Sequence, residues 1–313
     1  MESVEQHSRE MIQKGSRSFS AAAALFDRSM RADVEMLYAW CRHCDDIIDG
    51  QILGFRQEHS RRLSEASPSE RLASLKSQTI AAHGGEPQVD PVFQAFQNVV
   101  QTHQMPLAYP LDLLVGFEMD VNMRHYETLN DTMEYCYHVA GVVGVMMAYI
   151  MGVRDEATLQ RACDLGLAFQ LTNIARDIVE DAENDRVYLP AEWLDEQDLK
   201  KTDLHRAENR PRIFLIAQKL LIEADRYYAS ASIGVGALDF RPAWAISAAA
   251  DVYRAIGGKI IDRGAEAWDT RTSTNRRRKL QAVAFGLYRA CQLRIFKPDP
   301  NANPRRELWT KAL

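Results

Sequence analysis

The sequence lacks the alternation of apolar and polar residues, bounded by turn residues, that indicates β-strands. It also lacks an internal repeat and a low-complexity linker, which excludes solenoids and linked modules. Of its 313 residues 46% are hydrophobic, enough for a sizeable buried core. The sequence therefore predicts an all-α protein, a single helical domain over residues 1–313 whose tail, residues 297–313, is irregular.

Cysteine is scarce, and positive charge is not in excess. The five cysteines form an odd, unpatterned set that indicates reduced thiols in a cytosolic protein. Cys41 and Cys44 have the spacing of half a zinc site, but no second pair accompanies them. The formal net charge of −5 argues against a nucleic-acid partner.

No hydrophobic run has the length of an ordinary membrane span. The longest uncharged apolar run covers residues 139–153, which is shorter than the ~20 residues of a spanning helix and predicts a buried core helix. The polar N-terminus does not have the pattern of a signal peptide. Gly141 and Gly144 lower the helix propensity of the run, so we expect a neighbouring helix or a ligand to approach its backbone closely.

What the sequence does contain is two rows of polar residues at helical spacing. In the first row, Tyr38, Arg42, Asp45 and Asp49 follow one another at steps of four, three and four residues. They therefore share one face of a helix. Because the flanking positions are apolar or thiol, this row is predicted to be partly buried, where carboxylates need a cation.

The second row lies on a helix predicted over residues 156–181. Gln170, Asn173, Asp177 and Asp181 are spaced by three, four and four residues, so their oxygens line one face. One aspartate pair with this spacing arises by chance in many helices. Two such pairs, far apart in the sequence and each within an apolar helix, favour a shared site.

Several helix boundaries carry sequence signals. Asp90 and Pro91 have the character of an N-cap and a first helical residue. Ser29 is predicted to cap the helix of the first row. Asp131 is predicted to cap an apolar helix over residues 132–151.

Two polar clusters each have two interpretations. Residues 15–20 are a break whose serines cap the next helix, or a set of hydroxyls and a guanidinium available to an anion. The basic run at 276–279 is a solvated helix face or, as the less favoured interpretation, a patch for anionic lipid.

The two rows together predict diphosphate chemistry. Aspartates at four-residue steps supply hard oxygen ligands that suit Mg²⁺ or Mn²⁺ shared with phosphate oxygens. Arg17, Arg42 and Arg176 could neutralise the remaining charge. Departure of an allylic diphosphate would leave a carbocation, which aromatic faces stabilise and an apolar wall protects from water.

Five segments resemble the squalene/phytoene synthase family and occur in the family's order. They are Ser16-Arg-Ser-Phe-Ser20, Tyr38-Ala-Trp-Cys-Arg-His-Cys-Asp-Asp-Ile-Ile-Asp49, Tyr135-Cys-Tyr-His-Val-Ala-Gly-Val-Val-Gly144, residues 170–181 with Arg186-Val-Tyr-Leu-Pro190, and Asp251-Val-Tyr-Arg-Ala-Ile-Gly257. The segments span nearly the whole chain, and the resemblance is greatest to bacterial members that form phytoene.

The resemblance implies the all-α class I isoprenoid synthase fold with a central active-site cavity. It also implies head-to-head condensation of two geranylgeranyl diphosphates, through prephytoene diphosphate, to phytoene, the first committed step of carotenoid biosynthesis. Mg²⁺ or Mn²⁺ would be required, and no NADPH is expected. Because the product is a C40 hydrocarbon, we expect a cytoplasmic protein that associates peripherally with a membrane surface and contacts other carotenoid enzymes.

The same motifs imply roles for individual residues. Metal binding would fall to Asp45, Asp49, Asn173, Asp177 and Asp181, with assistance from Asp120. Diphosphate oxygens would contact Ser16, Arg17, Ser18, Arg42, Arg176 and Tyr188. The reacting centre would face Tyr38, Tyr188 and Tyr253, and the prenyl channel would be lined by Phe19, Val139, Gly141, Gly144 and Gln170.

Three alternatives stay open at this point. A squalene or dehydrosqualene synthase would use the C15 substrate, and squalene formation would also require NADPH. The sequence has no dinucleotide-binding glycine motif, but relatives that use NADPH lack it too. A terpene cyclase would consume one diphosphate, and a non-catalytic helical scaffold would retain the motifs as remnants.

Overall fold

The computed structural model of the protein describes residues 2–15, 17–49, 66–296 and 305–311. Over these residues the chain forms helices and connecting turns without a β-strand, which confirms the predicted all-α class. In chain order the α-helices are α1 (Glu2–Gly15), α2 (Arg17–Ala23), α3 (Arg28–Asp49), α4 (Pro68–His83), α5 (Pro91–His103), α6 (Ala108–Val121), α7 (Leu129–Cys136), α8 (Val142–Ile150), α9 (Glu156–Glu183), α10 (Ala191–Asp195), α11 (Arg210–Gly234), α12 (Phe240–Arg263) and α13 (Arg276–Ile295).

The predicted start of α5 is confirmed. The Asp90 side chain accepts a hydrogen bond from the backbone N–H of Val92 at 2.7 Å, and Pro91 is the first helical residue. The aspartate satisfies one of the free N–H groups of the first turn, and proline loses no bond there.

Two predicted caps are wrong, one by two residues and the other by three. Asp27, not Ser29, accepts from the N–H of Met30 at 3.0 Å, so α3 begins earlier. Thr128, not Asp131, is the N-cap of α7, and the Asp131 side chain returns a bond to the backbone of Thr128. In that reciprocal capping box each residue satisfies the other's backbone donor, which a single cap at Asp131 would not do. The predicted break before α3 also contains the short helix α2.

A π-helical turn, Tyr137–Gly141, joins α7 to α8 where the sequence predicted one regular helix. The continuous segment Leu129–Ile150 is long and apolar enough for a membrane span by length and composition, but 67% of its most apolar window is buried inside the protein. The segment is therefore packed as the core helix that the sequence predicted.

The π-helical turn within it adds one residue to a helical turn and redirects the side chains that follow.

The glycines of α8 and α9 explain how these two helices pack. A Cβ on Gly144 would lie 2.4 Å from the carbonyl oxygen of Ala162, and one on Gly166 would lie 2.2 Å from that of Ala140. The two backbones are therefore in reciprocal contact. The close approach expected at Gly144 is made by a neighbouring helix.

Helix α9 lies at the centre of the hydrophobic core. It packs against α8, α11 and α12, and its buried positions extend from Leu159 to Val179. A single hydrophobic cluster continues from Val4 in α1 to Ala267 after α12. The helices that carry the two polar rows are thus fixed by the same core.

Residues 305–311 return to this core after residues 297–304, which lie outside the described residues. Arg305 Nε donates to the fully buried carboxylate of Asp164 at 2.7 Å. The backbone N–H of Trp309 donates to Tyr227 Oη at 2.9 Å. The described part of the tail contains a 3₁₀ turn at Arg305–Glu307 and is anchored by these bonds.

We predict that Gly166→Ala lowers the free energy of unfolding by about 1–3 kcal/mol, because the added methyl group must push α9 away from the π-helical turn that precedes α8. Chemical denaturation measures the change. The matched control is Gly258→Ala in α12, where an added Cβ meets nothing within 4 Å. There alanine should be neutral or stabilising by up to about 1 kcal/mol. Equal effects of the two substitutions would contradict the close helix contact.

Candidate active site

An elongated cavity of about 480 Å³ lies between α3, α6, α8, α9 and α12. That size is within the range of about 300–1,000 Å³ for sites that enclose small molecules. Its wall is mainly apolar, and its acidic side chains, Asp45 and Asp120, lie near one end. The apolar part of the wall includes Leu113, Phe117, Val143, Met147, Met151, Ala162, Leu165, Val235, Leu238, Ala245, Ile246 and Ala249.

Helix α9 gives the cavity its length and its polarity. Residues from Thr158 to Asn173 line the cavity, and these fifteen steps correspond to ~22 Å of helix. Thr158 and Arg161 line its first turns, and apolar and small side chains occupy the middle of the stretch. Gln170 and Asn173 begin the polar end, and the aspartates of the second row follow on the next turns. A long, dry channel therefore ends at a charged site.

The first row begins inside this cavity. Tyr38, Arg42 and Asp45 line it, and Asp49 follows one turn later on α3. Arg42 Nη1 lies 2.9 Å from a carboxylate oxygen of Asp45. The ring of Phe19, which also lines the cavity, stacks on Tyr38 with 4.7 Å between centroids.

The second row contains a buried acceptor atom without a hydrogen-bond partner. Asn173 Oδ1 is buried without a hydrogen-bond partner in the described structure, while Nδ2 donates to Gln170 Oε1 at 3.4 Å. One turn on, Asp177 accepts from Arg176 Nε at 2.7 Å. Arg271 approaches the same carboxylate, with 3.6 Å between Nη2 and Oδ2.

Arg186 connects the two rows. Its Nη1 donates to Asp49 Oδ2 at 3.3 Å, its Nη2 donates to Asp49 Oδ1, and its side chain lines the cavity. Its positive charge also opposes the rise in the pKa of Asp181. Arg186 therefore pairs with the first row and acts on the second row through its charge. Arg186 lies in one of the motif segments, but it belongs to neither polar row, so the sequence did not predict its role.

Asp120 forms a third acidic position at the polar end. Its carboxylate accepts from Tyr135 Oη at 3.2 Å and from Tyr188 Oη at 3.1 Å, and these two rings stack at 4.4 Å. Burial raises the pKa of Asp120 to about 7, with the charge of Arg186 opposing the rise. Asp120, Tyr135 and Tyr188 all line the cavity.

Burial makes negative charge costly on two of the row aspartates. Burial raises the pKa of Asp45 to about 6, with Arg42 opposing the rise and Asp49 adding to it. Burial, together with the charge of Asp177, raises the pKa of Asp181 to about 7. Carboxylates whose charge is this costly favour a cation nearby.

These observations fit a divalent cation. The donors are carboxylates and the unpartnered amide oxygen of Asn173, which are hard ligands. Among the residues described here, no three histidine, cysteine or acidic side chains form a metal cluster by themselves. Mg²⁺ characteristically takes one or two carboxylates and completes its coordination with substrate phosphates and water, and each row offers two carboxylates.

The other predicted site residues fall into three groups. Val139, Gly144 and Tyr253 line the cavity, and the ring of Tyr253 stacks on Phe169 at 4.1 Å. Gly141 does not line it: an added Cβ would lie 2.9 Å from Cys163 Sγ, so this glycine serves helix packing. The side chains of residues 16–18 lie outside the described residues.

The sequence profile of the squalene/phytoene synthase family matches residues 12–282. The chain belongs to this family. It is 49% identical over 309 residues to a 15-cis-phytoene synthase of Pantoea ananas, with 98% of this chain and 97% of that protein covered. It is 47% identical over 305 residues to a 15-cis-phytoene synthase of a Paracoccus species, with 97% and 96% covered.

The fold is also that of the family. The crystal structure of a dehydrosqualene synthase in complex with ligand superposes with a TM-score of 0.81 at 25% identity, covering 94% of this chain and 98% of that one. The class I isoprenoid synthase fold expected from the motifs is thereby confirmed. Members of the family are prenyltransferases that depend on a divalent metal.

We predict that the affinity of the protein for Mn²⁺ falls as the pH is lowered from about 8 to about 6, because protons and the cation compete for the same oxygens. With the pKa of Asp45 at about 6 and that of Asp181 at about 7, competition begins near neutrality. Electron paramagnetic resonance of free Mn²⁺ measures binding without diphosphate. An affinity that does not change until about pH 5, where ordinary aspartates titrate, would contradict the raised pKa values.

Proposed function

We propose that this chain condenses two geranylgeranyl diphosphates to phytoene through prephytoene diphosphate. Each of the two steps expels one diphosphate and one proton, which balances two C20 diphosphates against one C40 hydrocarbon. The observation that carries the proposal is the nearly full-length identity of 49% to proteins named 15-cis-phytoene synthase. The long apolar cavity with acidic rows at one end supports it.

The polar end would bind the diphosphates. We assign the cation to Asp45, Asp49, Asn173, Asp177 and Asp181, and we propose Mg²⁺ or Mn²⁺ because all of these ligands are oxygens. When bound, the cation would neutralise charge on the departing diphosphate. Arg42, Arg176 and Arg186 stand beside these ligands and supply the planar donors that suit phosphate oxygens.

Two of these arginines pair with ligand carboxylates. Arg186 holds Asp49, Arg176 holds Asp177, and both carboxylates are about 85% buried or more, with side-chain exposures of 13% and 15%. With a cation and a diphosphate bound, each guanidinium would be free to turn from its carboxylate to the phosphate oxygens.

The aromatic residues would protect the carbocation. Tyr38 stacks on Phe19 and Tyr253 stacks on Phe169, and all four rings line the cavity. Ring faces attract positive charge, while the apolar wall excludes the water that would capture the cation. Ser16, Arg17 and Ser18 are proposed to complete the diphosphate site from the preceding segment.

We also propose a cytoplasmic location, peripheral contact with a membrane and contact with other enzymes of carotenoid synthesis. The support is chemical: a C40 hydrocarbon has no useful solubility in water. The proposed reaction contains no reduction, so no NADPH is expected. A dehydrosqualene synthase acting on the C15 substrate remains the rival, since a structure of that name shares the fold.

The test is incubation of the purified protein with geranylgeranyl diphosphate and Mg²⁺ or Mn²⁺, without NADPH, followed by analysis of the hydrocarbon extract. We expect 15-cis-phytoene, and no product after addition of EDTA. A C30 product from farnesyl diphosphate, with none from the C20 substrate, would reject the proposed substrate.

We predict that Asp45→Ala and Asp177→Ala each lower turnover by more than about 100-fold, because even outer-shell partners of a metal can cost 10–100-fold. The control is Asp225→Ala on α11, whose side chain is 58% exposed and which should keep wild-type turnover. Near wild-type turnover of either row variant at saturating Mg²⁺ would reject the assigned ligands.

We predict that Ala162→Phe selects against the C20 substrate, because the ring fills the apolar part of the cavity far from the aspartates. kcat/KM for geranylgeranyl diphosphate should fall more than that for farnesyl diphosphate. Ala157→Phe, at an exposed position in the first turn of α9, is the matched control. Equal losses for both substrates would show that Ala162 does not limit chain length.

A further inference from the structure

Helix α13 has its large apolar side chains on the side away from the protein. Leu280, Leu287, Tyr288 and Ile295 recur at helical spacing and are 61%, 38%, 58% and 74% exposed, and Phe285, 50% exposed, lies beside them. We call these five residues the outer face of α13. Surface helices of globular proteins ordinarily place such residues inward.

The opposite side of α13 packs closely on α12, so the orientation of the helix is fixed. Its buried positions are small: Ala282, Gly286 and Ala290. A Cβ on Gly286 would lie 2.8 Å from the backbone nitrogen of Ala248. Trp244 Nε1 donates to the carbonyl oxygen of Val283 at 2.8 Å. Small residues thus seat α13 on α12 and leave the large ones outward.

The charge of α13 indicates what the outer face contacts. The helix contains six basic residues and no acidic residue, in a chain whose net charge is −5. Arg276 and Arg277 at its start and Arg294 near its end are exposed. An apolar face flanked by cations is complementary to the interface of a bilayer that contains anionic lipids.

The position of α13 connects this face with the cavity. The C-terminal part of α13 packs on a small cluster that includes Val235 and Leu238, and both residues also line the apolar part of the cavity. Ala245 and Ile246 of α12 line it as well. The outer face therefore lies one helix layer away from the part of the cavity that would hold hydrocarbon.

We propose that the outer face of α13 docks the protein on the surface of an anionic phospholipid bilayer. The large apolar side chains enter the interface, while Arg276 and Arg277 contact lipid phosphates; Arg294 lies 3.8 Å from Asp239 Oδ1. The functional value of this contact rests on the proposed function, because it places a site of hydrocarbon formation next to the phase that dissolves the product. The docking itself requires no catalysis.

The experiment is flotation of the full chain with vesicles of phosphatidylcholine containing phosphatidylglycerol, compared with phosphatidylcholine alone, in the absence of substrate. We expect binding to the anionic vesicles that weakens with added salt. The double variant Arg276→Gln/Arg277→Gln should bind about 30-fold more weakly at low salt, from roughly 1 kcal/mol per cation. The variant Leu280→Gln/Tyr288→Gln should lose at least tenfold at every salt concentration.

The matched control is Ile222→Gln on α11, another exposed large apolar residue at 66%, which should bind as the wild type does. None of the substituted residues lines the cavity, so phytoene formation in detergent should be unchanged in every variant. Absence of phytoene in the detergent assay would reject the proposed function but would leave the docking proposal unaffected.

Two results would overturn the docking proposal. One is vesicle binding that the α13 variants leave unchanged. The other is a dimer, detected by light scattering, that the α13 substitutions dissociate, together with no vesicle binding by wild type or variants. That result would assign the outer face to a second copy of the chain.

Discussion

The structure depends on keeping carboxylates charged at the end of an apolar cavity. Burial raises the pKa of Asp45, Asp120 and Asp181 toward neutrality, because a wall that keeps a hydrocarbon dry also removes water from charge. The fold answers with arginines placed beside the rows, and Arg186 joins α3 to the segment after α9. The apolar channel therefore raises the cost of charge at the acidic site, and the arginines beside the aspartates offset that cost.

The helical scaffold serves this arrangement. Reciprocal glycine contacts bring α8 and α9 together, and the π-helical turn lies where Val139 and Ala140 line the cavity. The anchored segment 305–311 closes the far side of the same core through the buried carboxylate of Asp164. Packing this close gives the channel a fixed length, and a fixed length is what a choice between C15 and C20 chains requires. The outer face of α13, as proposed above, would dock the protein on the membrane with this channel one helix layer away.

Much of this could be predicted from sequence because it is local. Helical periodicity determined which faces carry the rows, and the Asp90-Pro91 pair determined a helix start. Several neighbouring polar residues could each cap the same helix, and a few backbone hydrogen bonds decide which one does. The predicted caps Ser29 and Asp131 are therefore wrong. The π-helical turn depends on tertiary packing, and the Arg186–Asp49 pair joins residues 137 positions apart. Spacing along one chain does not reveal either feature, nor that Gly141 faces Cys163.

The central claim is that the two rows hold cations together around one diphosphate site. Anomalous diffraction from crystals grown with Mn²⁺ and a non-reactive thiodiphosphate analogue of the C20 substrate tests it most directly. We expect Mn²⁺ peaks beside Asp45 and Asp49 and beside Asn173, Asp177 and Asp181, with Arg186 turned from Asp49 toward the diphosphate. Mn²⁺ at one row alone, with the Arg186–Asp49 pair intact and the prenyl chain outside the cavity, would contradict the account.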